Sequence, residues 1–520
     1  MRNSHIWTAL VTFLFEIFVW AFYNVLVYPH FFSPLRHLPQ PTGGSLFTGQ
    51  LGRILREPSG QPARDWNRTI PHDGLVRYLG LFNIERIIVF STKGLSEVLT
   101  QRPYDFVKPA QARNVLKPLT GVGILLAEGD EHRFQRKNLM PAFSYRHIKD
   151  LYPTFWSKSR HVVQAIGNEI ANRSSQDGST DSAVTIEFAD WASRVSLDII
   201  GIAGMGQDFN AIDNPNGELN RVYRRILTPS KQGLILSIIG QFLPQWLLRA
   251  IPVKRNEDLR EAIKVIRKTS LALIQQKKEK LARKEQSGVD IISVALHSGA
   301  FSDENLLDQT MTFLAAGHET TSAALTWGVY AMCKYPAMQT RLRKEIRQRL
   351  PPLDDETWAD NMQAEMIEAL PYLRAVCNEV LRVYSPIPMT LRAAAVDTTI
   401  LGQPIPKGTK VIVSPLAINT CKSLWGEDAD DFNPDRWMGV GKANSGGAES
   451  NYAFMTFLHG PRSCIGQSFS KAEFACLLAA VVGRFELQLA DPDKPIHAKG
   501  GVTMKPAGGL QVKMRPLQGW

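Results

Sequence analysis

Cysteine is scarce in this chain of 520 residues: there are five, widely separated, with no C-x-x-C pair. That excludes a disulfide framework or a zinc ribbon and points to a reducing compartment. No G-x-G-x-x-G stands at a strand-to-helix junction, and no Walker-type loop occurs; Gly121-Val122-Gly123 is not continued as either motif requires. The chain therefore lacks a nicotinamide or flavin domain of its own, and any electrons it uses come from outside. Charged residues are few, 21% against 44% hydrophobic, which describes a globular core and not a disordered chain. The net charge is +11, yet no arginine-rich block occurs. A membrane surface or an acidic protein partner thus fits better than nucleic acid.

One long apolar run is present. Ile6–Tyr28 is 23 residues with a single charge, Glu16, long enough to span a bilayer. Its exit, Tyr28-Pro29-His30-Phe31-Phe32, offers no small-residue cleavage site, so the run predicts an uncleaved anchor over 1–28. The proline-rich stretch that follows predicts a semi-rigid hinge over 29–44, leaving 45–520 as the main domain. The run from Leu234 to Ile251 is too short and interrupted for a second span; it reads equally as a core helix or a membrane-dipping hairpin.

Phe457-Leu458-His459-Gly460-Pro461-Arg462-Ser463-Cys464-Ile465-Gly466 is the stretch that organises the rest. Gly460 and Gly466 let the backbone turn tightly and approach a flat ligand. A buried helical pattern begins just after, which places Cys464 before a helix N-terminus, where dipole and free N–H groups favour thiolate. A lone cysteine is ordinarily a small buried hydrophobe; a thiolate on a tight loop suits metal ligation.

A second unusual stretch lies inside a long apolar helix that starts near Ser302: Ala315-Ala316-Gly317-His318-Glu319-Thr320-Thr321. Glycine and paired β-branched residues are poor helix-interior choices, and a broken local rule in a good helix marks a candidate site. Gly317 thins the helix so that a flat cofactor can lie against it, while Glu319 and Thr320 supply a carboxyl and a hydroxyl for proton delivery. His318-Glu319 is not a zinc-protease motif, because Ser322 stands where the second histidine is required. His132 and Arg136 lie one turn apart on a basic helix, by default a solvated face. Glu379 and Arg382 lie three apart on another helix; such pairs are usually exposed and weak.

Together these pieces resemble the cytochrome P450 family of haem-thiolate monooxygenases. The cysteine segment fits F-x-x-G-x-R-x-C-x-G, the long helix fits A-G-x-(D/E)-T-(T/S), the pair fits E-x-x-R, and Pro434–Trp437 resembles the family's arginine-bearing meander. The style is that of a eukaryotic microsomal member, most similar to filamentous-fungal enzymes of secondary metabolism. The resemblance implies a mainly α fold with small β-sheets behind a single transmembrane helix, and haem b (iron protoporphyrin IX) as cofactor. It implies Cys464 as the axial iron ligand, with Phe457, Gly460, Gly466 and Gly317 around the haem. Arg462, Arg392 and Arg136 would pair with propionates, and His132 stands where a tryptophan is common. Glu379, Arg382 and Arg436 would form a structural charge cluster, and Thr320 with Glu319 would deliver protons. The implied partners are an NADPH–cytochrome P450 reductase, cytochrome b5, a lipophilic small molecule and the endoplasmic reticulum membrane, with the catalytic domain cytosolic.

Two alternatives remain within the fold. One is a fatty-acid or xenobiotic hydroxylase; the other is a haem-thiolate isomerase or dehydratase that does not use O2, which the intact Glu319-Thr320 pair disfavours. A non-enzymatic haem-binding or scaffolding role is a third.

Overall fold

The computed structural model describes residues 2–177, 183–228, 230–240, 243–283, 290–355, 361–499 and 502–520. It begins with helix α1 (Arg2–Phe22), which continues as a π-helical stretch, Tyr23–Phe32. Side chains from His5 to Trp20 are all exposed. His5–Phe32 is one apolar span of 28 residues with a mean hydropathy of 2.0 in its best stretch. At 1.5 Å per residue the 21 residues of α1 alone measure about 30 Å, the thickness of a bilayer core. The helical path does not stop at Tyr28 but takes in the first residues of the proline-rich stretch.

The main domain is mainly α with small sheets. Its largest sheet contains β1 (Leu75–Leu79), β2 (Glu85–Val89), β3 (Phe106–Val107), β4 (Thr390–Ala394) and β5 (Lys410–Val413), in the order β1-β2-β5-β4-β3. All neighbours are antiparallel except β2 and β5, where Arg86 lies opposite Lys410. Ile87-Ile88-Val89 and Val411-Ile412-Val413 are unbroken apolar runs, and all six residues are buried. Such runs suit strands covered on both faces, and here Leu35, Trp66 and Leu95 complete the layer above them.

The helices that position the site come in chain order: α2 (Ala110–Thr120), α3 (Gly129–Leu139), α4 (Phe188–Ile199), α5 (Lys231–Ile239), α6 (Gln245–Ala250), α7 (Asp303–Lys334), α8 (Pro371–Val383) and α9 (Gln467–Arg484). Ser302 caps α7 by accepting from Asn305 N–H at 3.2 Å, and Asp303 and Glu304 sit in its first turn. That is the start expected from the sequence. α7 runs through the main core, packed on α4 and α9. A Cβ on Gly328 of α7 would lie 3.0 Å from the Phe474 ring of α9, so the two helices approach closely there.

The Leu234–Ile251 region is not a buried core helix. It forms α5 and α6, with Leu234, Ile235, Ile239, Leu243, Trp246 and Leu247 exposed; Gln241 and Phe242 lie outside the described residues.

Candidate active site

The cysteine loop is closed by backbone hydrogen bonds: Cys464 N–H donates to Phe457 O at 2.9 Å and Ser463 N–H to Gly460 O at 3.0 Å. Gly460 has φ +77°, and a Cβ there would stand 2.0 Å from Leu99 O, so glycine is obligatory on both counts. Gly466, by contrast, is the residue before α9 and meets nothing closer than 3.8 Å. Lys471 of α9 lies over the rings of Phe454 and Phe457, at 5.5 and 5.7 Å, and braces the loop from beneath. Cys333, Cys377, Cys421 and Cys476 are buried, whereas Cys464 is exposed. Although its side chain is open on one face, the protein surrounding Cys464 raises its thiol pKa, against the opposing pull of the Gly466 N–H and Arg136. The helix N-terminus does not by itself make this sulfur a thiolate; a metal cation would.

Helix α3 joins this loop to α7. Gln135 accepts from Gln309 Nε2 of α7 at 2.8 Å, and one residue later Arg136 donates to Ser463 O at 2.6 Å. The solvated face expected here is in fact half inside the protein: His132 is buried, its Nδ1 3.1 Å from the Tyr104 hydroxyl.

Around the same loop the structure gathers cations. Arg462 is buried; its Nη1 lies 2.5 Å from Glu128 Oε2, its Nη2 donates to Ala127 O at 3.3 Å, and its Nε is buried without a partner. Arg392 is buried beside it, donating to Thr390 Oγ1 at 3.0 Å and Leu391 O at 2.9 Å. Burial and the neighbouring Arg462 push its pKa down to about 10. Lys108 is held well below its usual value by burial, then by Arg392 and Arg462. His132 is pushed down to about 4 by burial, then by Arg462, Arg136 and Lys108. Arg462, Arg392, Lys108 and Arg136 thus crowd one region with Glu128 as the carboxylate among them, and Arg392 and Lys108 are both depressed by neighbouring cations, which leaves the region in want of further negative charge. The two propionates of a flat macrocycle would supply it, and Cys464 would be available to the metal such a group carries. Among the described residues no group of three or more His, Cys, Asp or Glu could hold a metal ion alone, so Cys464 would serve a metal carried by a macrocycle and not one held by side chains only.

Behind the loop, Glu379 and Arg382 are fully buried and paired twice, Oε1 to Nη2 at 2.7 Å and Oε2 to Nε at 2.8 Å. Arg382 also donates to Asn419 O at 2.8 Å, Ala429 O at 2.6 Å and Asp431 O at 2.8 Å. Glu379 accepts from Asn433 N–H at 2.8 Å, Arg436 Nε at 3.1 Å and Trp437 Nε1 at 2.8 Å. The weak exposed pair of the default reading is thus a saturated buried network. Asn419 links it to the cysteine loop, accepting from Met455 N–H at 2.7 Å while donating to Arg382 O at 3.1 Å.

In the middle of α7, Ala316 is exposed and Ala315, Gly317 and Thr320 are half-buried, whereas residues 311–314 before them and 321–329 after them are buried. Thr320 Oγ1 donates to Ala316 O at 2.9 Å. Glu319 turns away and accepts from Thr503 Oγ1 and Lys505 Nζ, both at 2.8 Å. Gly317 also points elsewhere: a Cβ there would lie 2.7 Å from Ile200 Cγ1. Its bareness serves helix packing, and the open wall is formed by Ala316 and Thr320. Sequence reasoning missed Lys108, Glu128, Asn419, Trp437, Thr503 and Lys505. Only Trp437, inside the meander segment, carried any local signal.

The cytochrome P450 family model matches residues 68–514. The chain is 48% identical over 502 residues to cytochrome P450 monooxygenase sphH of Aspergillus fumigatus, covering 96% of this chain and 91% of the relative. It is 42% identical over 547 residues to cytochrome P450 monooxygenase FUM15 of Gibberella moniliformis, at the same 96% and 91% coverage. With cytochrome P450 monooxygenase ALT8 of Alternaria alternata it shares 41% over 557 residues, 96% of this chain and 93% of the relative. With the exposed Cys464, its cation collar and the open centre of α7 already in place, these matches establish that the chain belongs to the cytochrome P450 family of monooxygenases.

Proposed function

We propose that this enzyme inserts one oxygen atom from O2 into a lipophilic small molecule, as a tailoring step in fungal secondary-metabolite biosynthesis. The observation that carries the reading is the opening in the middle of α7, where Ala316 is exposed and Thr320 half-buried within a helix whose central residues are mostly buried. Haem, when bound, supplies the dioxygen chemistry. Cys464 would be its axial ligand, and Arg462, Arg392, Arg136 and Lys108 would hold its propionates. The small side chain of Ala316 leaves room beside Thr320, whose hydroxyl can pass a proton without a charge of its own. Glu319 sits one residue away with its carboxylate held by Thr503 and Lys505, so a proton reaching Thr320 comes through water and not by direct contact with Glu319.

No dinucleotide-binding glycine motif or Walker-type loop stands in the sequence, which supports electron supply by an NADPH-dependent reductase, with cytochrome b5 as a second donor. The apolar span at the N-terminus supports a membrane anchor, and the few, unpaired cysteines fit a catalytic domain on the reducing, cytosolic side of the endoplasmic reticulum membrane. Fungal relatives named as monooxygenases support the oxygen-inserting reading over the isomerase reading.

The test is expression of the full chain with a reductase, followed by comparison of host metabolites with and without it under 18O2. One labelled oxygen in a new product is expected, lost in Cys464→Ala together with the thiolate-type spectrum of the reduced, carbon monoxide-bound form. Turnover that persists without NADPH or reductase overturns the proposal in favour of an isomerase.

A further inference from the structure

Lys471 is a misplaced charge by the usual rules of helix composition. It is the fifth residue of α9, whose first turn carries no acidic side chain, although a helix N-terminus favours anions and disfavours cations. Its side chain is half-buried, on a helix where Phe469, Ala472, Glu473, Phe474 and Cys476 are buried. Among the described residues no carboxylate pairs with it; the charged and titratable groups that face it are Cys377 and Arg374, both on α8. Burial pushes its pKa down to about 8, with Cys377 opposing that shift and Arg374 adding to it. A half-buried cation without a counter-ion is costly, and a local rule broken in this way is expected at a functional site.

What Lys471 does meet is the cysteine loop. Its Nζ stands 5.5 Å from the centre of the Phe454 ring and 5.7 Å from that of Phe457, and both rings are half-buried. These are cation–π distances, at which an ammonium is drawn to the electron-rich face of a ring. Phe454 is itself fixed edge-on against Trp437, with ring centres 5.4 Å apart. Phe457 O accepts from Cys464 N–H at 2.9 Å, so the ammonium lies under the residue that closes the turn around the sulfur. Arg136 reaches the same loop from α3, donating to Ser463 O at 2.6 Å. Between Phe457 and Gly466 no Asp or Glu occurs, and Cys464 is the residue able to carry negative charge. Two helices thus bring a cation to a loop whose candidate anion is that thiolate.

We propose that Lys471 is a positioning residue for the metal centre: its ammonium, seated under Phe454 and Phe457, raises the reduction potential of a haem ligated by Cys464. The reading of Cys464 as axial ligand underlies this. Reduction of ferric to ferrous iron adds one electron, breaks no bond and makes the centre one charge more negative. A nearby cation favours the more negative state, and a half-buried setting limits screening by water and salt. Charge close to the ligand loop is therefore one of the levers by which a protein sets a haem potential. Removal of that charge, by substitution or by loss of the Lys471 proton, lowers the potential.

The experiment is a mediated spectroelectrochemical titration of the haem-loaded full chain, without substrate or reductase, with dithionite as the electron source. Near about pH 6.5, Lys471→Met should lower the ferrous-to-ferric ratio at a fixed applied potential at least about threefold, which is about 28 mV for one electron. Lys471→Arg, which keeps the charge, should keep the natural value. As pH rises through about 8 to about 9.5, the natural chain should fall towards the Lys471→Met value while Lys471→Arg does not, because arginine stays protonated. Cys377, which burial holds well above that range as a thiol, and Lys108 and His132 beside the loop are common to all three proteins, so the differences among them belong to Lys471. Equal potentials in the natural chain and Lys471→Met, or a lowered potential in Lys471→Arg, overturn the proposal with the axial-ligand reading intact. A natural chain whose reduced, carbon monoxide-bound form lacks the thiolate-type spectrum overturns that reading and the proposal with it. Should Lys471→Met fail to retain haem, the natural chain and Lys471→Arg decide alone: pH profiles that part near about pH 8 support the proposal, and parallel profiles overturn it.

Discussion

Glu319 and Thr320 are adjacent on α7 yet turn to different partners: Lys505 Nζ lies 2.8 Å from the Glu319 carboxylate, and Thr320 Oγ1 donates to Ala316 O at 2.9 Å. Neighbouring residues on a helix project about 100° apart, so the two side chains do not form one directly bonded relay. Thr320 alone borders the open centre of the helix. Thr320→Ala should therefore change folding stability by no more than about 0.5 kcal/mol, the usual effect of a change away from buried networks. Its effect should fall on coupling: product formed per NADPH consumed drops at least about tenfold, and the shortfall appears as hydrogen peroxide. Thr320→Ser should restore most of the ratio. Unchanged coupling in Thr320→Ala would remove the hydroxyl from the proton path.

Gly317 offers a sharper separation of packing from chemistry. Its missing side chain accommodates Ile200, whose Cγ1 would lie 2.7 Å from an added Cβ. Gly317→Ala should cost about 1–3 kcal/mol through overpacking, with the haem spectrum retained. The second change Ile200→Ala should recover part of that loss, because the two sites share one contact. Chemical denaturation of the two single variants and the double variant measures the coupling. Strictly additive losses would show that the glycine is required for some other reason.

The network around Glu379 predicts a different outcome. Its carboxylate neutralises the fully buried Arg382 and also serves Asn433, Arg436 and Trp437. Arg382→Leu leaves a buried carboxylate with less positive charge, and removal of one partner from a buried pair costs about 3–5 kcal/mol. Because Asn419 joins this network to Met455 near the cysteine loop, the loss should appear first as failure to retain haem. Soret absorbance per unit of protein, followed through purification, reports it; full haem content in Arg382→Leu would contradict the assignment.

The sequence made legible what is short-range. The apolar N-terminal helix, the Ser302-capped start of α7 and the tight turn at Gly460 rest on local residue chemistry, and each stands in the structure. The motifs also named Arg462, Arg392 and Arg136, which converge although more than 300 residues separate Arg136 from Arg462 in the chain. What could not be read is which way a side chain points. Gly317 and Glu319 lie inside a recognisable motif yet face Ile200 and Lys505, because the third dimension of α7 is set by its neighbours. Glu128 and Lys108 stand in unremarkable loop sequence; only the cations they meet after folding reveal them. The pair Glu379 and Arg382 has a common surface spacing, and its burial depends on Trp437 and Asn419, residues far along the chain.

A last expectation concerns Glu473 on α9. It is fully buried, neither carboxyl oxygen has a well-formed hydrogen bond, and burial raises its pKa well above the carboxylate range against a weaker pull from Thr321 and Ser196. The folded chain therefore keeps a proton on this group that the unfolded chain, with a pKa of about 4.3, releases. With the folded value above the unfolded one, the stability this proton confers is full below about pH 4 and is lost as pH rises towards the folded pKa, by up to about 1.4 kcal/mol per pH unit. Glu473→Gln keeps the shape of the neutral acid and has no proton to lose. The stability difference between the natural chain and this variant should thus be small near about pH 4–5 and should grow in favour of the variant towards pH 8, as expected for one linked proton. Urea denaturation of both haem-loaded proteins across that range tests it. Parallel stability curves would mean that Glu473 is ionised in the folded protein, with a compensating cation or water nearby.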